Sequence, residues 1–151
     1  MLGQTLVNRY RIDAELGKGG MGIVYRGYDI LLDREVAVKL ISSTGLGTEG
    51  RARLLVEARA AARLNHPNIV AIYDAVDEES TPFIVMELVE GHTLRTIPTP
   101  NMENCIEYAR QICAALAHAH GKGIIHRDLK PDNIFLQSAQ PWRCFRACAF
   151  T

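Results

Sequence analysis

The sequence predicts an α+β protein in two parts. The first is a five-stranded antiparallel sheet with one long helix, and the second is an incomplete helical unit. Three observations carry this expectation. Between Tyr10 and Ile41, short β-branched and aromatic runs are joined by short connections that favour antiparallel neighbours. Two longer stretches, near 48–64 and 102–122, repeat apolar residues at helical spacing. A break at Glu90-Gly91 separates the strand-rich part from the rest, which places the parts at 10–90 and 91–136.

In order, Tyr10, Ile12 and Ala14 alternate with Arg11, Asp13 and Glu15, the pattern of a half-buried strand. The glycine cluster Gly17 to Gly22 follows, then the strand-like run Ile23 to Tyr28, a turn at Leu32-Asp33-Arg34, and the apolar strand Val36 to Ile41. The first helix carries Leu54, Leu55, Ala58, Ala61, Ala62 and Leu64 on its apolar side, and Asn65-His66-Pro67-Asn68 ends it. Strands at Ile69 to Ala75 and Phe83 to Leu88 complete the sheet. The second helix, Met102 to Lys122, is expected to bury Ile106, Ala109, Ile112, Cys113 and Leu116, and Gly121 and Gly123 terminate it. Ile134-Phe135-Leu136 reads as a short strand. The tail 137–151 has neither period and reads as unrelated to what precedes it.

Composition narrows the function classes. A formal net charge of +0 with interspersed signs gives no basis for nucleic acid as a partner. The N-terminus lacks a basic stretch followed by an apolar core, and no segment is long and apolar enough to span a bilayer. A cytoplasmic chain is expected, whose parent could be anchored beyond residue 151. Cys105, Cys113, Cys144 and Cys148 form no Cys-x-x-Cys pair and suit free thiols.

The chemistry sits in three places. Gly17-Lys18-Gly19-Gly20-Met21-Gly22 satisfies G-x-G-x-x-G, but a strand-like run follows instead of the helix a dinucleotide fold needs. What remains is a glycine-rich hairpin whose backbone N–H groups can lie over phosphate oxygens. Lys39 closes the apolar run Val36-Ala37-Val38 and could reach the α- and β-phosphates; Glu57, mid-helix, is its candidate counter-charge. His126-Arg127-Asp128-Leu129-Lys130-Pro131-Asp132-Asn133 places an acid, a cation and an amide at offsets suited to phosphoryl transfer. Asp128 would accept a hydroxyl proton, Lys130 would sit by the moving phosphoryl, and Asn133 would ligate a metal.

Together these residues resemble the eukaryotic-like serine/threonine protein kinases, especially the bacterial ones, over Tyr10 to about Leu136. The resemblance implies ATP and Mg²⁺ as cofactors and a protein serine or threonine as acceptor. Lys130, two after Asp128, suits the serine/threonine class. It also implies that Leu16, Val24 and Ala37 enclose the adenine with Phe135 below. Met86 would be the gatekeeper, and backbone groups of Glu87 and Val89 would bond the base.

One departure is plain. The strand after Asn133 should lead to Asp-Phe-Gly, yet residues 137–151 contain no aspartate. Shifting a back-translation of Phe145 to Thr151 by one base spells Phe-Gly-Leu-Ala-Arg-Ser, so the tail is an out-of-frame continuation or an unrelated extension. The expectation is a catalytically impaired, truncated or frameshifted kinase; an ATP-binding pseudokinase or interaction fragment is the alternative.

Overall fold

The computed structural model describes residues 1–19, 22–42, 47–78, 82–137 and 145–147. They form two units: Met1–Ala62 with Ile72–Leu88, and Arg63–Ala71 with Val89–Thr151.

The first unit is a six-stranded antiparallel sheet of β1 (Thr5–Leu6), β2 (Tyr10–Gly19), β3 (Gly22–Asp29), β4 (Arg34–Ile41), β5 (Ile72–Val76) and β6 (Phe83–Met86), in the order β1-β2-β3-β4-β6-β5. The strand beyond the expected five is β1, which pairs Leu6 with Tyr10. Two residues are too few to show an alternation. Its turn rests on Val7 and Asn8 at φ 43° and 55°, a conformation that no Val side chain advertises.

β4 is buried along both faces from Val36 to Ile41, as befits a central strand. On one face Val36, Val38 and Leu40 join Tyr10, Ile12, Tyr25, Phe83 and Val85 in the main core. Each such side chain contributes about 1.5–3 kcal/mol on burial. The sheet curls enough for Tyr10 on β2 to meet β6 and β5. Its ring lies edge-on to Phe83 at 6.0 Å, and its hydroxyl donates to Asp74 at 2.7 Å.

The β3–β4 turn is organised by Asp29, which is fully buried. Arg9 donates to its two oxygens from Nε and a terminal nitrogen at 2.9 and 2.8 Å. The Leu31 and Leu32 amides donate to Oδ1 at 3.2 and 3.3 Å. The Arg9 guanidinium holds this carboxyl below the usual aspartate range of about 3.8, against the opposing effect of burial.

Helix α1 (Gly47–Ala61) buries Leu55, Ala58 and Ala61 at intervals of one turn. It stops three residues short of the expected Leu64. Arg51 ties its start to Asp77 at 2.6 Å.

The second unit is built on α2 (Met102–Gly121), capped by the Asn101 side chain, which accepts the Asn104 amide at 2.9 Å. Its buried face is Gln111, Ala115 and Ala119. The expected stripe is only partly right: Ile112 and Leu116 are half-buried, whereas Ile106, Ala109 and Cys113 are exposed. Small residues face inward alongside Gln111, whose amide oxygen accepts from the buried Asn68 side chain at 2.8 Å. A hydrophobicity stripe cannot report a seam made of alanine and a satisfied amide.

A second sheet runs β7 (Gly91–Thr93), β8 (Ile134–Gln137) and β9 (Phe145–Ala147), all antiparallel. A Cβ on Gly91 would lie 1.9 Å from the Leu136 carbonyl oxygen, so β7 can approach β8 only with glycine there. β9 falls in the tail where no strand was expected.

Replacing Asp29 with alanine should cost about 3 kcal/mol, the lower end for breaking a buried pair, because Arg9 retains some solvent. Because the folded carboxyl titrates below its unfolded value, its contribution is present above about pH 3.8 and lost as pH falls through the folded value. Urea midpoints of wild type and Asp29→Ala at neutral and acid pH check this; equal acid sensitivity in both would contradict it.

Candidate active site

The pleat of the first sheet sorts its residues. Directly paired residues share a face, and the register pairs Gly17 with Val24, Val24 with Lys39, Lys39 with Ile84, and Ala37 with Met86. The face opposite the main core therefore carries Val24, Ala37, Lys39, Ile84 and Met86 together. Ala37 and Met86 are each 6% exposed and form an apolar floor, while Lys39 is 9% exposed. A buried ammonium needs a counter-charge. Ile84, fully buried and opposite Lys39, belongs to this face, although its run Phe83 to Met86 shows no sequence signal for it.

The glycine cluster is a β-hairpin, as expected from the strand that follows it: Gly17, Lys18 and Gly19 pair with Val24, Ile23 and Gly22. Gly20 and Met21 lie outside the described residues. A Cβ on Gly17 or Gly19 would meet nothing within 4 Å, so the open side is unobstructed. A Cβ on Gly22 would fall 1.8 Å from the Leu40 carbonyl oxygen, and its φ of 144° also demands glycine. This opening suits the phosphates of a nucleotide. Leu16 is exposed and Glu87 is half-buried. Glu57 is half-buried on α1 and accepts from Arg53 Nε at 3.3 Å.

In the second unit, the loop before β8 brings three predicted residues together. Lys130 Nζ donates to Asp128 Oδ2 at 2.7 Å. Asn133 Nδ2 donates to the Asp128 carbonyl at 2.7 Å and to its Oδ2 at 3.3 Å. Asn133 is buried in the 3₁₀ turn Pro131–Asn133, whose fixed proline φ pre-shapes it. The Asp128 amide donates to the His126 carbonyl at 2.9 Å and to His126 Nδ1 at 3.3 Å. Arg127 between them holds φ 64°, a left-handed conformation rare outside glycine. Neither its strain nor the Arg95–Asp132 ion pair at 2.6 Å was legible in the motif. Arg95 holds the Asp132 carboxyl below its ordinary range. Val89 and Phe135 are half-buried in this unit, Phe135 on β8 opposite Thr93.

A divalent cation fits these donors poorly. Among the described residues no three His, Cys, Asp or Glu side chains gather to hold a metal. An amide that donates through Nδ2 has one atom, Oδ1, with which to meet a cation, and Mg²⁺ demands octahedral oxygen coordination. Asp128 Oδ2 already accepts from Lys130 and Asn133.

A lysine-bearing sheet face next to a glycine hairpin in the first unit, and in the second a loop that presents an anchored carboxylate next to a lysine, are features of the protein kinase fold. The protein kinase domain model matches residues 10–150, and the chain belongs to this family. The matched span includes 137–150, the stretch set apart by its composition. The chain is 43% identical over 141 residues to the serine/threonine-protein kinase PrkC of Bacillus subtilis, covering 90% of this chain and 22% of that protein. It is 43% identical over 137 residues to the serine/threonine-protein kinase PknL of Mycobacterium tuberculosis, covering 87% and 34%. The crystal structure of the Mycobacterium tuberculosis PknI kinase domain superposes with TM-score 0.86 at 27% identity, over 99% of this chain and 62% of that one. The chain is thus of the bacterial serine/threonine kinase type and spans about a fifth to a third of the length of these curated relatives. No helix among the described residues is long and apolar enough to cross a membrane.

Asn133→Ala should free the Asp128 loop, at a cost of about 1 kcal/mol for the lost part-buried hydrogen bond. Hydrogen exchange at the amides of 128–133 should accelerate more than in the rest of the chain. Unchanged exchange there would show that Asn133 does not anchor the loop.

Proposed function

We propose that the chain carries the nucleotide-binding sheet and catalytic loop of an ATP-dependent serine/threonine protein kinase. The observation that supports this most is the Asp128 carboxylate, tethered by Asn133 and paired with Lys130. In this reading the glycine hairpin and Lys39 hold the phosphates, with Glu57 as the lysine's counter-charge. Leu16, Val24, Ala37, Met86 and Phe135 bound the adenine, and backbone groups of Glu87 and Val89 bond its edge. Asp128 orients the acceptor hydroxyl and takes its proton as the oxygen attacks, and Lys130 offsets the negative charge of the phosphoryl beside it. The acceptor is a serine or threonine of a protein.

A second reading has its own support. Residues 137–151 hold no aspartate, and Asn133 offers one amide oxygen where family chemistry calls for Mg²⁺. Mg²⁺ would shield charge on the transferring phosphoryl; without its carboxylate ligand, a loss of about 4 kcal/mol slows transfer roughly a thousandfold. The one-base shift does not repair this. Read through Cys144, it places Val or Ala ahead of Phe-Gly, because the last two bases of a cysteine codon followed by T spell GTT or GCT. As a 151-residue polypeptide the chain is therefore proposed to bind nucleotide and transfer phosphate poorly.

The polypeptide should bind a fluorescent ATP analogue weakly, and Lys39→Met should weaken that binding further. With labelled ATP and Mg²⁺, autophosphorylation should stay near background in both wild type and Asp128→Asn. Transfer by wild type that Asp128→Asn abolishes would establish a competent enzyme and discard the impaired reading. No change in nucleotide affinity on Lys39→Met would count against the phosphate site itself.

A further inference from the structure

We propose that His66 and His118 form an acid-sensitive clasp that fastens the segment Arg63–Ala71 to α2 while both rings are neutral. Both residues lie within the second unit. Their ring centroids are 5.2 Å apart with a 38° tilt. His66 Nδ1 accepts the Asn68 amide proton at 3.1 Å, so a proton cannot occupy that nitrogen without breaking the bond that shapes the His66-Pro67-Asn68 turn. His118 Nε2 is buried and makes no hydrogen bond. Protonating that ring would leave a buried charge with an N–H lacking an acceptor, facing a second imidazole. Geometry thus disfavours a proton on His66 Nδ1 and leaves His118 Nε2 without an acceptor.

A second rung lies two helical turns away, where the buried Asn68 side chain donates to Gln111 Oε1 at 2.8 Å. Ala115 and Ala119 lie between and beside the rungs and allow close approach; with Leu64, Ile69 and His126 they line an apolar pocket. The charged groups nearby offer the imidazoles little relief. Glu107 is taken by Arg110 and Gln111 at 2.7 Å each, at the far rung. Arg63 and His120 are exposed, and His126 Nδ1 accepts from the Asp128 amide. Consistent with this, burial and the neighbouring His118 move the His66 pKa below 6.5. A folded value below the unfolded one gives stability that is present above about pH 6.5 and is lost as pH falls through the folded value. Acidification therefore loosens the segment from α2.

NMR of the full 151-residue chain tests this, following the ring signals of His66 and His118 and exchange of the Asn68 amide. From about pH 8 to about pH 5, His66 should titrate below 6.5, and the Asn68 amide should lose protection over the same range. His118→Leu should raise the His66 midpoint by removing the facing imidazole. A wild-type His66 midpoint at or above 6.5, or an Asn68 amide that stays protected once His66 is charged, overturns the clasp. So does a midpoint unmoved in His118→Leu. If that variant does not fold, the wild-type titration decides alone.

Discussion

The first unit depends on one strand that is buried on both faces. In β4, alternate residues point to opposite sides, so Val36, Val38 and Leu40 belong to the core while Ala37 and Lys39 belong to the site face. A one-residue slip against β3 or β6 would put the lysine into the aliphatic core and valines onto the opposite face. Burying an ammonium among Tyr25, Phe83 and Val85 is so costly that the register has no competitor. The same pairings bring Val24 beside Lys39 and Met86 beside Ala37. Fold stability and site assembly are one constraint here, because the residue that could least tolerate the wrong face is the one that marks the right face.

The second unit solves a different problem. Its polar loop must hold a carboxylate in place without a sheet to carry it. It does so with bonds between side chain and backbone: Asn133 to the Asp128 carbonyl, and the Asp128 amide to His126. The left-handed Arg127 stores the resulting strain. The segment 63–71 meets α2 through small residues and paired polar groups, not through a large apolar face. Such a seam is specific because Asn68 and Gln111 must meet, and it is sensitive to protonation because His66 Nδ1 accepts the bond that shapes its turn.

The sequence reading succeeded where local pattern and tertiary role coincide. The alternation in Tyr10 to Ala14, the apolar run ending at Lys39 and the octet around Asp128 each encode their own geometry. It failed where a partner decides the outcome. α2 was expected to bury Ile106 and Cys113, but its inward side is Gln111, Ala115 and Ala119, because Asn68 satisfies the glutamine. β1 escaped because a two-residue strand carries no period, and β9 because Phe145-Arg146-Ala147 gains its strand character from β8. Ile84 was missed as a site residue because its face is set by pairing with Lys39, which its own run does not reveal.

Family membership and chemical competence rest on different parts of this chain. The sheet face and the Asp128 loop are each internally supported: the first by the core beneath β4, the second by bonds that stay within its own eight-residue motif. Neither support needs an aspartate after residue 136. The geometry of each unit is therefore held by its own core or its own loop bonds. Electrostatic help for the moving phosphoryl is a separate requirement, supplied by a cation whose ligands Asn133 alone does not complete.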